Sequence, residues 1–152
     1  MILHPAEITN ELKNYYFFNI FKERFLLQIC TMVEVQSYAP GDCIIVEGQL
    51  NRKLYFIRSG TVEIYMGGAK IAELSEQGEV MGEMSVVTEK PATSTIVAQT
   101  QLEVFVIDTN NFLHFKSNEK DHFELMLYKM FCHILVERLN KENNRTRKYF
   151  SL

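Results

Sequence analysis

Between Val33 and Ile107 the chain breaks into short β-forming runs, punctuated by glycine and proline. VEVQSY (33–38) is followed by a turn at Pro40-Gly41, and CIIVE (43–47) ends at Gly48. KLYFIR (53–58) and TVEIYM (61–66) flank Ser59-Gly60, which reads as a hairpin turn. Gly67-Gly68 joins TVEIYM to AKIAEL (69–74) and gives a second hairpin signal. TSTIVA (93–98) and LEVFVI (102–107) close the series. Seven or eight short strands with this punctuation predict a jelly-roll or related barrel.

Both flanks are helical. Over residues 6–32, Ile8, Leu12, Tyr15 and Tyr16 recur at helical spacing, as do Phe21, Phe25, Leu26 and Ile29. After Ile107 the period turns helical again. Asp108 or Thr109 can cap NNFLHFKS, and Asn118 or Asp121 can open a longer helix to about Lys141. The C-terminal helices therefore span 109–141, and the polar, basic tail 142–152 reads as a frayed, solvated end. Phe123, Leu127, Met130, Ile134 and Leu135 form one stripe on the long helix. Leu125, Met126, Phe131, Cys132 and Val136 spread over much of its remaining surface. A helix apolar over most of its circumference must be covered on more than one side.

A chain of 152 residues suffices for one domain, here 1–152, with a proper core. Apolar residues make up 47% of it, which excludes a disordered chain. A net charge of −3 argues against nucleic acid as a partner. Cys30, Cys43 and Cys132 lie far apart without a CxxC pair, so each reads as a packing residue in a reducing compartment. No signal peptide is evident at the N-terminus. The most apolar window, Phe123–Leu139, is interrupted by Lys129, His133, Glu137 and Arg138 and is too polar for a membrane span. The cytoplasm is the expected location, with no membrane partner.

The most telling stretch is GEMSVVTEKPATSTIVA, residues 82–98. Gly82 lets the backbone approach a ligand closely. Glu83, in the first turn of a helix, can accept hydrogen bonds from a ribose hydroxyl or simply favour the helix dipole. Thr93, Ser94 and Thr95 place hydroxyls on the far side of the loop, although threonine is also common at the start of a strand.

This stretch resembles the phosphate-binding cassette of cyclic nucleotide-binding domains. That pattern runs Gly-Glu, a short apolar helical turn, a loop, Pro-Arg, two small residues and Thr. Gly82 and Glu83 match, Met84-Ser85-Val86-Val87 fits the turn, and Pro91 and Thr95 match with loop length unchanged. FKERFLLQIC (21–30) resembles the helix leading into the barrel of that family, and the glycines at 41, 48, 60 and 82 fall where the family uses them. The resemblance covers roughly residues 15–140. It implies an α+β fold, an eight-stranded jelly-roll-like barrel (33–107) between N- and C-terminal helices. It also implies a cyclic nucleotide or another small anionic ligand, held by Gly82, Glu83, Met84, Ser85, Lys90, Pro91, Ala92, Thr93, Ser94 and Thr95.

One position departs. Ala92 stands where the family has its phosphate-pairing arginine. Leaving a buried charge without its partner costs about 3–5 kcal/mol. That is on the order of 100- to 1,000-fold or more in affinity. Lys90, and more remotely Arg52, are the candidate replacement cations, but lysine lacks the bidentate fork.

Enzyme classes find no support. His4, His114, His122 and His133 lie outside the β region, so the barrel offers no metal-binding histidine. Ser85 is not in a GxSxG elbow. The C-terminal helices leave no room for a helix-turn-helix module. The expectation is a stand-alone, non-catalytic regulatory or sensor module, its effector another protein in trans. The alternative is a ligand-independent dimerisation or interaction module. In the family the last helix serves as a lid and as a dimer contact. Its surplus of apolar surface favours a homodimer, because monomers rarely expose patches above about 300–600 Å².

Overall fold

The computed structural model describes residues 3–150, apart from the side chains of residues 16, 17, 113, 117, 146 and 148–150. Pro5 opens α1 (Pro5–Leu12), where its missing N–H costs nothing. A 3₁₀ turn (Tyr16–Ile20) leads to α2 (Glu23–Cys30). Ile8, Leu12 and Tyr15 are buried, as are Phe21, Phe25, Leu26 and Ile29, as their spacing requires.

Eight strands follow: β1 (Val33–Tyr38), β2 (Cys43–Ile45), β3 (Lys53–Ser59), β4 (Val62–Met66), β5 (Ala69–Leu74), β6 (Val80–Met81), β7 (Thr95–Ala98) and β8 (Leu102–Asp108). The short helix α3 (Glu83–Thr88) lies between β6 and β7. They form two antiparallel four-stranded sheets, ordered β1-β8-β3-β6 and β2-β7-β4-β5. This is the expected α+β jelly-roll architecture with helices at both ends.

The first sheet is covered on both faces. Leu54, Phe56, Phe105 and Ile107 pack against the helices. Tyr55, Ile57, Val104 and Val106 alternate with them and fill the space between the sheets, with Ile45, Val62, Met81, Ile96 and Leu102. Two-sided burial explains why β3 and β8 read as unbroken apolar runs rather than alternating ones. Arg58, at the end of β3, ties α1 to this sheet. It donates to both carboxylate oxygens of Glu11 at 2.9 and 2.8 Å, pairs with Glu103, and lies over the Phe105 ring.

The Gly67-Gly68 hairpin is present, since β4 pairs with β5. The hairpin expected at Ser59-Gly60 is not. β3 pairs with β6 and β8, whereas β4 belongs to the other sheet. Gly60 marks the crossing. Its φ is +100°, and a Cβ there would sit 2.3 Å from the Gln101 carbonyl oxygen, against the β7–β8 connection.

Asp108 caps a second 3₁₀ turn (Thr109–His114) by accepting from the Asn110 N–H at 2.9 Å. The last helix, α4, runs Ser117–Phe150. It begins one residue before Asn118 and continues through the stretch expected to fray. Nothing after Pro91 is glycine or proline, so no residue forces it to stop. Residues 142–145 and 147 are exposed, as a solvated end requires; residues 151 and 152 lie outside the described residues.

Phe123, Leu127, Met130, Phe131 and Ile134 carry α4 onto the helical core. Phe123 stacks on Phe115 and Phe112 at 4.7 and 5.8 Å and meets Phe25 edge-on at 5.6 Å. Leu135, expected in this stripe, is exposed, because it lies one residue past Ile134 and is rotated about 100° from it. Cys30 is buried as expected, whereas Cys43 and Cys132 are exposed rather than core residues. Among the described residues, no helix is long and apolar enough to cross a membrane.

Candidate functional site

The cassette is a corner made by β6, Gly82 and α3. Gly82 adopts φ +86° immediately before the helix. A Cβ there would lie 2.5 Å from both the Asn51 side-chain nitrogen and the Lys53 carbonyl oxygen. Only glycine fits that dihedral and that approach. Asn51 fixes the corner from outside. Its amide donates to the carbonyls of Lys53 at 2.8 Å and Gly82 at 3.2 Å, and its side-chain oxygen accepts from the Lys53 N–H.

Ser85 is buried and structural. Its hydroxyl donates to the Lys90 carbonyl at 2.6 Å and accepts from the Asn51 N–H at 3.2 Å. These bonds hold the loop that returns toward β7. Within that loop Glu89 has φ +54°, uncommon for a residue with a side chain. Beyond it, Ala92 exchanges backbone bonds with the 48–49 segment. Its N–H donates to the Gln49 carbonyl, and its carbonyl accepts from the Gly48 N–H, both at 2.8 Å. Thr95 Oγ1 accepts from the Glu47 N–H at 2.9 Å.

The structure therefore brings Gly82–Ser85 and Lys90–Thr95 together around segment 47–51, as the motif requires. Neither candidate replacement cation, Lys90 or Arg52, is buried there. Lys90, Pro91 and Thr93 are exposed, Arg52 is exposed, and Ser94 and Thr95 are half-buried. The Ala92 methyl packs against the barrel interior. Met84 and Val87 leave an apolar face of α3 open to solvent.

Glu83 is 4% exposed, and its partner comes from 55 residues downstream. One Arg138 nitrogen donates to the Glu83 carboxylate, and another donates to the Val80 carbonyl at 2.8 Å. The guanidinium thus clips α4 to the last strand and first helical residue of the cassette. Arg138 escaped sequence reasoning, in which it only interrupted an apolar window. Asn51 escaped it too, because a loop asparagine carries no distinctive local pattern.

A two-sheet jelly roll between helical flanks, with a glycine-cornered cassette between β6 and β7, defines a small-ligand sensor fold. Residues 35–119, more than half of the chain, match the family model described as the cyclic nucleotide-binding domain. The chain belongs to that family.

It is 29% identical over 117 residues to the mouse (Mus musculus) potassium/sodium hyperpolarization-activated cyclic nucleotide-gated channel 2. That match takes in 77% of this chain and 13% of the channel's length. Among solved structures, a putative cyclic nucleotide-binding protein from Geobacter metallireducens superposes with a TM-score of 0.76 at 20% identity. The match covers 91% of this chain and 99% of that one. The regulatory subunit of a cAMP-independent protein kinase A from Trypanosoma brucei gives 0.71 at 20% identity, over 97% of this chain and 50% of that one.

Proposed function

We propose that the chain is a non-catalytic regulatory module of the cyclic nucleotide-binding fold whose own affinity for cyclic AMP and cyclic GMP is weak. One observation carries this. The cassette keeps its corner and its return loop, yet the position that would pair with a phosphate holds Ala92, turned into the barrel. A phosphate diester in such a site lacks a bidentate partner. The kinase regulatory subunit described as cAMP-independent is a fold neighbour consistent with this reading. Calorimetric titration with cyclic AMP and cyclic GMP tests it. Dissociation constants well above micromolar are expected, and a value at or below a micromolar overturns the proposal. The signal would pass to another chain, and the sparse, unpaired cysteines favour the cytoplasm.

A second reading, self-association through α4, rests on a separate observation. Leu125, Tyr128, Cys132, Leu135 and Leu139 are all exposed and follow one another at intervals of three and four residues. That is the spacing of a helix-pairing seam. It lies roughly 140° around the helix from the stripe that docks on the domain. Glu124 and Lys129 border it, both exposed, with opposite charges placed to pair across two parallel copies. The occupant this face fits is a second copy of the chain.

A further inference from the structure

Far from the cassette, α4 meets the first 3₁₀ turn and α2 along a groove of about 630 Å³. Ile20, Phe25, Leu125, Met126 and Tyr128 supply its apolar wall, and Leu125 and Tyr128 are open to solvent. Its basic lining is Lys22, His122, Lys129 and His133, with no carboxylate among the described lining residues. The chain as a whole carries 19 acidic side chains and a net charge of −3, so this lining departs from the average surface in the direction that suits an anion. His122, Met126, Lys129 and His133 recur at intervals of three and four, so they share one face of α4, roughly 16 Å long at 1.5 Å per residue. The cations gather at one end of it. Lys22, Phe25 and His122 also border an adjoining cavity of about 480 Å³, which Arg24 lines. Phe25 builds that junction. Its ring stacks on His122 at 4.1 Å and lies under the Arg24 guanidinium at 4.9 Å. Glu119 lines the second cavity, which leaves the groove side of His122 as the place for a negative charge.

We propose that this groove binds a free long-chain carboxylate. The carboxylate sits among Lys22, Arg24 and His122, and the acyl chain runs along Leu125, Met126 and Tyr128. Lys129 lays its methylenes beside that chain and keeps its ammonium in water. An apolar slot with a few convergent polar groups is the usual build of a small-ligand site, and the volume falls within the range of roughly 300–1,000 Å³ that such sites have. None of the described lining residues belongs to the cassette or to segment 47–51, so the site needs no cyclic nucleotide. Leu125, Tyr128 and Cys132 also belong to the exposed seam, so a bound acyl chain and a second copy compete for that part of α4.

Laurate, titrated calorimetrically into the full chain below its micelle concentration, is the test. A dissociation constant below about 100 µM is expected. Dodecyltrimethylammonium, which carries a chain of the same length and the opposite charge, should bind at least tenfold more weakly. Absent laurate binding, or equal binding of the two amphiphiles, overturns the proposal. Lys22→Glu should weaken laurate at least tenfold, and thermal melting should show that the variant folds, since Lys22 is exposed. Lys70→Glu makes the same charge change on β5 and should leave binding unchanged. Equal laurate binding by Lys22→Glu and the wild-type chain overturns the placement.

Two further outcomes are decisive. Displacement of laurate by cyclic AMP would put the acyl chain in the cassette and overturn the groove. Capture on phosphatidylglycerol vesicles without binding of monomeric laurate would assign the basic face to a membrane surface and overturn it equally. Laurate binding that millimolar cyclic AMP leaves untouched supports the groove, whatever the affinity of the cassette for cyclic nucleotides.

Discussion

Arg58 grips Glu11 with two parallel hydrogen bonds, and this one contact fastens the first helix to a central strand of the barrel. The guanidinium holds the Glu11 carboxyl below its ordinary value of 4.5, against the opposing effect of burial, with help from the Tyr15 hydroxyl. A carboxyl with a lowered folded-state pKa stabilises the fold above its unfolded value and loses that effect as pH falls through the folded one. The chain should therefore lose stability from about pH 5 downward. Urea midpoints measured between pH 6 and pH 3 check this. Glu11→Gln should be less stable at neutral pH and show a flatter acid limb. An unchanged limb would assign the acid sensitivity to other carboxylates.

Ala92→Arg is the direct test of the altered cassette. If the remaining corner is competent, the variant should bind cyclic AMP at least tenfold more tightly than the wild type, since a buried guanidinium–phosphate pair is worth more than one decade. Because the Ala92 methyl points into the barrel, the arginine must turn outward to do so, and thermal melting will report any strain. Lys90→Ala should change neither binding nor stability, because that side chain is exposed.

Gly82→Ala should cost about 1–3 kcal/mol. The new methyl meets both Asn51 and the Lys53 carbonyl, and the backbone cannot relax to a negative φ without breaking the Asn51–Gly82 bond. Denaturant unfolding at neutral pH measures the loss. A shift under about 0.5 kcal/mol, ordinary for a surface substitution, would show that the corner is not held as described.

Self-association should be visible by sedimentation at micromolar concentration. Leu135→Asp with Leu139→Asp should weaken it at least tenfold while leaving the fold intact, since both side chains already face solvent. A parallel pairing also brings the two Cys132 thiols opposite each other. Mild oxidation with diamide should then give a covalent dimer that Cys132→Ser abolishes. A monomer at all concentrations would remove the second reading.

Much of this molecule can be read from local patterns. The strands announce themselves by β-branched runs and turn residues, and the buried stripe of α4 by its spacing. Failures occur where the deciding contact is distant. Ser59-Gly60 has the same turn chemistry whether the chain doubles back or crosses between sheets, and only the pairing of β3 with β8 separates the two. Leu135 adjoins Ile134 in sequence but not around the helix. The cassette outline is legible because it is contiguous. The partner of Glu83 is not, because no local pattern links position 83 to position 138.

The ring stack of Phe112, Phe115 and Phe123, closed by Phe25, has a practical consequence for anyone moving this unit into another protein. It interlocks α2, which precedes every strand, with α4, which follows them all. A fragment trimmed to the β segment alone would keep all eight strands and still expose the aromatic faces that helices from both ends cover. The smallest transplantable piece therefore extends from α1 through at least Ile134, and a fusion partner is best attached beyond that point.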